Sequence, residues 1–194
     1  ITKEILYFSE YIFDDTQISP ESLLIKIKEI FQSDVYLQKD FESVLVIHKN
    51  SLFSLVPNQF FSEKNLSEYL NLNIKTLNTD YIAFDDLQNL SAKNVYVPYV
   101  NINNYLFQNF GEFEYKHHHT LLVDKLTSLN NAEEKKVYIN VAKRDFEIIV
   151  LEKKQIIHCN SFNYNTKEDF IYYILFTLEQ LKLDTEEVKL YFTG

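Results

Sequence analysis

Three short clusters in this chain hold side chains that could do chemistry. His117-His118-His119 offers imidazoles, Asp14-Asp15 and Asp85-Asp86 offer paired carboxylates, and Cys159 is the single thiol. Adjacent histidines on a strand point to alternate faces, so only His117 and His119 converge. A metal site would need a further Asp, Glu or His at ligand spacing, and none is evident. The triplet therefore reads as an ordinary strand-to-helix join, and no metal is expected. Acid pairs at strand ends suit general acid–base work, although neighbours in sequence diverge in direction and acids in turns commonly start helices. Asp85 is the better catalytic candidate because it follows the apolar run Tyr81-Ile82-Ala83-Phe84. One cysteine can form neither an internal disulfide nor a cysteine-based zinc site, which fits a reducing compartment. With no activating surroundings, Cys159 reads as a small apolar residue inside a strand. Gly-x-Ser-x-Gly, Walker and Cys-x-x-Cys patterns are all missing.

Composition narrows the field further. The formal net charge is −9, and Arg144 is the sole arginine among 19 basic residues. Phosphate grip favours arginine and nucleic-acid binding favours a basic face, so nucleic acid is not expected as a partner. Glycine occurs only at Gly111 and Gly194. Abundant Asn, Lys and Ile point to an AT-rich genome, which thins surface glycines generally. Codon bias does not easily remove glycine from a loop whose backbone must touch a phosphate. No apolar run is long enough to span a membrane and no signal-peptide pattern is present, so a cytoplasmic location is expected. The chain begins at Ile1 and contains no Met, which reads as part of a longer frame. The 16 Phe and 14 Tyr are expected mainly to fill the core, with Tyr172-Tyr173 as an exposed patch.

The elements that must position these residues follow from periodicity. Glu4–Phe13 is expected as a strand. Ser19-Pro20 opens a helix whose apolar residues recur at helical spacing to Ser33. Ser43–His48 reads as a buried strand, turning at Lys49-Asn50 into Leu52–Val56 as a hairpin. Ser62–Asn71 is expected as a helix, Tyr81–Phe84 and Val95–Tyr99 as strands, Ile102–Phe110 as a helix stopped by Gly111, Phe113–His118 as a strand and Thr120–Ser128 as a helix. After a polar boundary at 130–136 come strands Val137–Val141, Phe146–Leu151 and Gln155–Phe162. A helix capped by Thr166 and a last strand, Val188–Phe192, complete the order. Three meander strands followed by a crossover helix place the last strand beside the first. The front of the chain repeats the end of this plan, as two related lobes would: residues 1–130, short of a front hairpin, and residues 131–194, short of a C-terminal part.

That duplicated plan resembles the actin-like ATPase superfamily, an α/β, ribonuclease-H-like fold of two lobes with mixed sheets, meander strands and crossover helices. Tyr7-Phe8, Phe53-Ser54-Leu55-Val56-Pro57, Tyr69-Leu70, Asn94-Val95-Tyr96-Val97-Pro98 and His119-Thr120-Leu121-Leu122 are similar to an uncharacterised bacterial family, the domain of unknown function 3822. The superfamily's second phosphate motif ends a strand with Asp, an apolar residue, then Gly. The resemblance sets Asn140 and Ala142 at those positions and Gly194 at the first of an adenosine-contacting glycine pair. A neutral amide holds Mg²⁺ less well than a carboxylate, and Ala142 adds a methyl and disfavours positive φ. The resemblance thus implies a vestigial nucleotide site: a degenerate protein without ATPase activity, acting as scaffold or adaptor for a protein partner, with no cofactor. The alternative is an ATP-binding protein or phosphotransferase of the actin and sugar-kinase superfamily, which would use Mg·ATP.

Overall fold

The structure is a computed structural model that describes residues 4–13, 18–72, 74, 76–77, 80–130 and 135–194. In chain order the regular elements are α1 (Pro20–Ser33), β1 (Leu45–His48), β2 (Phe53–Pro57), α2 (Leu66–Asn71), β3 (Ala83–Asp86), β4 (Ala92–Tyr96), α3 (Val100–Phe110), β5 (Glu114–His117), α4 (His118–Leu129), β6 (Lys136–Val141), β7 (Asp145–Glu152), β8 (Gln155–Asn163), α5 (Lys167–Gln180) and β9 (Leu190–Thr193). The chain divides into two compact units, one of residues 1–44 with 99–113 and one of residues 45–98 with 114–194.

The first unit carries α1 and α3. Ser19 caps α1 by accepting from the Ser22 amide at 3.2 Å, with Pro20 in the first turn, where its missing N–H costs nothing. Phe31 meets Tyr105 and Phe110 of α3 at ring separations of 5.4 and 5.3 Å. The expected strand over Glu4–Phe13 does not form: residues 4–13 are irregular. A strand needs a ladder partner, and this segment is tethered by side chains instead. The hydroxyls of Tyr7 and Tyr11 donate to Asp34 at 3.1 and 2.8 Å, while Ile5, Leu6 and Phe8 stay exposed. The alternation that resembled a strand is therefore a tyrosine pair aimed at one buried carboxylate.

The second unit holds three sheets: a parallel pair β1-β5, an antiparallel sheet in the order β2-β4-β3, and a mixed sheet in the order β8-β7-β6-β9. The expected hairpin between Ser43–His48 and Leu52–Val56 is replaced by a change of sheet. Asn50 accepts from the Leu52 amide at 2.9 Å and donates to the Val97 carbonyl at 2.9 Å. That double bond steers the chain away from β1 and onto β4. The back half follows the expected plan. β6, β7 and β8 form a meander, α5 crosses over, and β9 pairs parallel to β6 with Asn140 opposite Thr193. A capping box starts α5, with Thr166 accepting from the Asp169 amide at 3.1 Å and Asp169 accepting from the Thr166 amide at 3.1 Å. Such a cap contributes about 1 kcal/mol.

Alternation sorts the mixed sheet into two faces. Val137, Ile139, Phe146, Ile148 and Val150 pack against Ile174 and Leu178 of α5. On the other face Tyr138, Ile149 and Leu151 share a core with Leu87, Val123 and Leu126. Asn140 and Glu147 continue this second face toward one end of β6 and β7, because they lie two residues beyond Tyr138 and two before Ile149.

Candidate functional site

Asn140 and Glu147 meet where β6 and β7 approach their hairpin. They are cross-strand partners, and Asn140 Nδ2 donates to Glu147 Oε2 at 2.7 Å. Glu147 is the one charge inside the apolar run Phe146–Leu151 of β7, and its side chain is fully buried. Burying a carboxylate is costly unless it is paired. The partners are at hand: Lys49 Nζ and His118 Nε2 each stand 3.5 Å from Oε1. Lys49 also pairs with Asp145 at the start of β7. Burial pushes the Glu147 carboxyl up, but the approaches of His118 and Asn140 and the charge of Lys49 outweigh it and hold it down at about 2. Glu147 is thus an ionised carboxylate with a lysine, a histidine and an amide of its own chain around it.

The residues set by resemblance in the nucleotide site lie beside this cluster. The Asn140 amide oxygen accepts from Thr193 Oγ1 at 3.0 Å, so both ends of the amide are engaged. Gly194 has φ +125°, and a Cβ there would stand 2.0 Å from the Val141 carbonyl oxygen. Only glycine fits that approach. Ala142 begins the β6–β7 hairpin. Its amide donates to the Asp145 carbonyl at 2.9 Å, and its carbonyl accepts from Tyr164 Oη at 2.7 Å. Among the described non-glycine residues, positive φ occurs at Lys153 and Lys182, so the Ala142 turn needs no glycine. The structure brings Asn140, Ala142 and Gly194 to one corner, where the Asn140 side chain and the Ala142 backbone have partners from within the chain.

The other candidates fall into structural roles. His117 closes β5 and His118 opens α4, so the triplet is the expected join. His117 Nδ1 accepts from the His119 amide at 3.2 Å, capping α4. The rings of His117 and His119 converge at 5.3 Å, and Phe53 stacks on His119 at 3.8 Å. Burial first, then the neighbouring histidines, hold His117 down at about 3; burial likewise holds His119 at about 3 against the pull of Glu147. Both are neutral rings in a core. Among the described residues no three His, Cys, Asp or Glu side chains are grouped to hold a metal ion. Asp85 accepts from Thr120 Oγ1, the His117 amide and Tyr96 Oη at 2.7, 2.9 and 3.1 Å. It fixes the start of α4, with three donors already engaged on its two oxygens. Asp86 pairs with Lys93. Asp14 and Asp15 lie outside the described residues. Cys159 sits in β8, and burial, aided by Glu147, pushes its thiol up rather than activating it. Of the expected aromatic patch, Tyr172 is exposed, whereas Tyr173 stacks on Phe162 at 4.9 Å.

Sequence reasoning missed Lys49, Asp145, Glu147 and Thr193, and placed His118 only in the strand-to-helix join. A signal existed for Glu147: a charge inside Phe146-Glu147-Ile148-Ile149-Val150-Leu151 must find a partner once that run is buried. Nothing local pointed to Lys49, which lies 96 residues from Asp145.

Comparisons with known proteins agree with this architecture. A crystal structure from Bacteroides thetaiotaomicron VPI-5482, described as a protein with actin-like ATPase fold and unknown function, superposes with a TM-score of 0.81. The two are 22% identical over 93% of this chain and 69% of that one. At that identity the likeness speaks for the fold, which is the actin-like ATPase fold. No curated protein matches. Among the described residues no helix is long and apolar enough to cross a membrane. The family described as "Protein of unknown function (DUF3822)" matches residues 1–194, and the chain belongs to that family.

Proposed function

We propose that this protein is a degenerate member of the actin-like fold that does not hydrolyse ATP and acts as a scaffold or adaptor for a protein partner. Its lineage is a duplicated, two-lobed one, with lobes at 1–130 and 131–194, and Asn140, Ala142 and Gly194 mark a vestigial nucleotide site. The observation that carries this reading is the closed corner around Glu147. A phosphate motif needs an open carboxylate for magnesium-bound water and free backbone amides for oxygen. Here the amide of Asn140 bonds Glu147 and Thr193, and the Ala142 amide closes a hairpin. The nearby carboxylate already has Lys49 and His118 against it. A divalent cation would have to displace the lysine, and a phosphate would meet Glu147 as a like charge.

Thermal-shift titration of the full-length protein with Mg·ATP tests the reading. A nucleotide present at 100 times its dissociation constant would add about 2.7 kcal/mol of stability. The proposal expects a flat response. A clear shift abolished by Asn140→Ala would favour the ATP-binding alternative instead.

A further inference from the structure

We propose that the groove between the open edges of β2 and β8 takes an extended segment of a partner protein by strand addition. The proposal deepens the adaptor reading, since it names the form in which a partner is held.

Two edge strands face this groove. β2 ends one sheet and β8 ends another, and among the described residues neither has a strand on its outer side. A cavity of about 820 Å³ is lined by five consecutive residues from each side, Ser51–Leu55 and Ile156–Asn160, together with Ile74. Side chains on a strand alternate between faces, so a wall made of consecutive residues is a backbone edge rather than a face.

The hydrogen-bond register says which groups that edge presents. Leu52 O accepts from Val97 N, and Asn58 N donates to Ser91 O, both at 3.0 Å. With Ser54 opposite Val95 and Val56 opposite Lys93, the even-numbered residues of β2 bond to β4. Antiparallel ladders alternate, so the N–H and C=O of Phe53 and Leu55 point outward. On β8, Tyr164 N donates to Arg144 O at 3.1 Å, and Asn160 and His158 stand opposite Ile148 and Val150. Cys159 and Ser161 therefore turn their main-chain groups outward. A register shift opposite Val150 and Leu151 leaves Ile157 as the extra residue of a bulge, and Ile157 is 38% exposed. Bulges re-aim side chains at sheet edges. This one sets an apolar anchor in the groove without closing it.

Unpaired edge groups are satisfied by water or by another strand, and natural edges are usually blunted by charge or proline. Between Ser51 and Leu55 and between Ile156 and Asn160 there is neither Lys, Arg, Asp, Glu nor Pro, and Pro57 blunts the edge only at the far end of β2. Two such edges on opposite walls match the donors and acceptors on both sides of one extended chain, which a helix or a rounded small molecule cannot supply. Main-chain bonds would give affinity. Phe53, Leu55 and Ile156 on one side, with His158 and Asn160 on the other, would select a segment with apolar residues at alternate positions.

The test selects short random peptides displayed on phage against the full-length protein and maps the bound state by amide hydrogen exchange. The proposal expects alternating apolar peptides, slow exchange at Phe53, Leu55 and Cys159 only when peptide is bound, and about tenfold weaker binding in Ile157→Asp but not in Ile171→Asp on α5. Slow exchange at those amides before peptide is added would overturn it, because the chain itself or a second copy would then fill the groove. Failure to select peptides, or protection elsewhere, would also overturn it. The wild-type exchange map stands even where Ile157→Asp fails to fold. Nucleotide binding would sink the vestigial-site reading and leave this result untouched, so the two failures are separable.

Discussion

The two faces of the mixed sheet solve different problems with the same strands. Against α5 the centre of the sheet is apolar: Phe146, Ile148, Val150 and Ile139 are fully buried there. On the opposite face the apolar residues stop, and the strand ends carry Asn140 and Glu147, held by Lys49, His118 and Thr193. The first face is fixed by shape and area, which are local and redundant. The second depends on charges brought from distant parts of the chain, each needing its partner. A buried apolar face loses stability in proportion to what is removed, whereas a buried ionic corner fails when one member changes charge.

Acid separates the two faces most sharply. His117 and His119, beside the ionic corner, are held near 3 in the folded protein against 6.5 for an exposed histidine. The unfolded chain therefore takes up protons first. Stability is intact above pH 6.5 and falls as pH drops from 6.5 toward 3, by up to about tenfold per pH unit for each histidine in the unfolding equilibrium. Glu147, held at about 2, adds a second loss between 4.5 and 2. Denaturant melts at pH 7, 6 and 5 should show the fall, and His117→Phe should reduce its slope. A flat profile would mean that these rings are protonated or solvated in the native protein.

On the apolar face, Phe146→Ala is expected to cost about 3–5 kcal/mol at any pH, because its ring meets Phe162, Tyr164 and Phe170. Equal losses at pH 7 and pH 5 would sharpen the contrast between the faces; a strongly pH-dependent loss would break it. A smaller effect is expected from Asn140→Asp, which places there the Asp of the phosphate motif that the proposed vestigial site resembles. It removes the donor to Glu147 and sets a second carboxylate against the first, 2.7 Å away across the present bond. The expected loss is about 1–3 kcal/mol at pH 7, with no recovery when Mg·ATP is added. Recovery on adding Mg·ATP would show that the corner still accepts the metal.

How much of this was legible in the sequence follows the same divide. Helix α1 was readable to its last residue because Ser19, Pro20 and the apolar period are local. The meander and crossover of the back half were readable because each strand is an apolar run between turn residues. The front segment misled, since Tyr7 and Tyr11 alternate as strand residues do while their hydroxyls reach Asp34. The β1–β2 hairpin misled because a two-residue polar turn says nothing about which sheet the next strand joins; Asn50 decides that through its bonds to Leu52 and Val97. The corner itself was half legible. Resemblance directed attention to Asn140, Ala142 and Gly194, but the cluster that engages Asn140 is assembled from Lys49, His118 and Glu147, whose meeting is a property of the tertiary fold.

On the proposed reading this corner is closed by the chain's own groups and has no place for a phosphate. Amide spectra of the full-length protein, followed through the 141–145 hairpin and Thr193 while Mg·ATP is raised to millimolar concentration, test it most directly. The Ala142 amide, bonded to the Asp145 carbonyl, is expected to stay slow to exchange and not to shift. A saturable shift at Ala142 and Thr193, lost in Asn140→Ala, would contradict it.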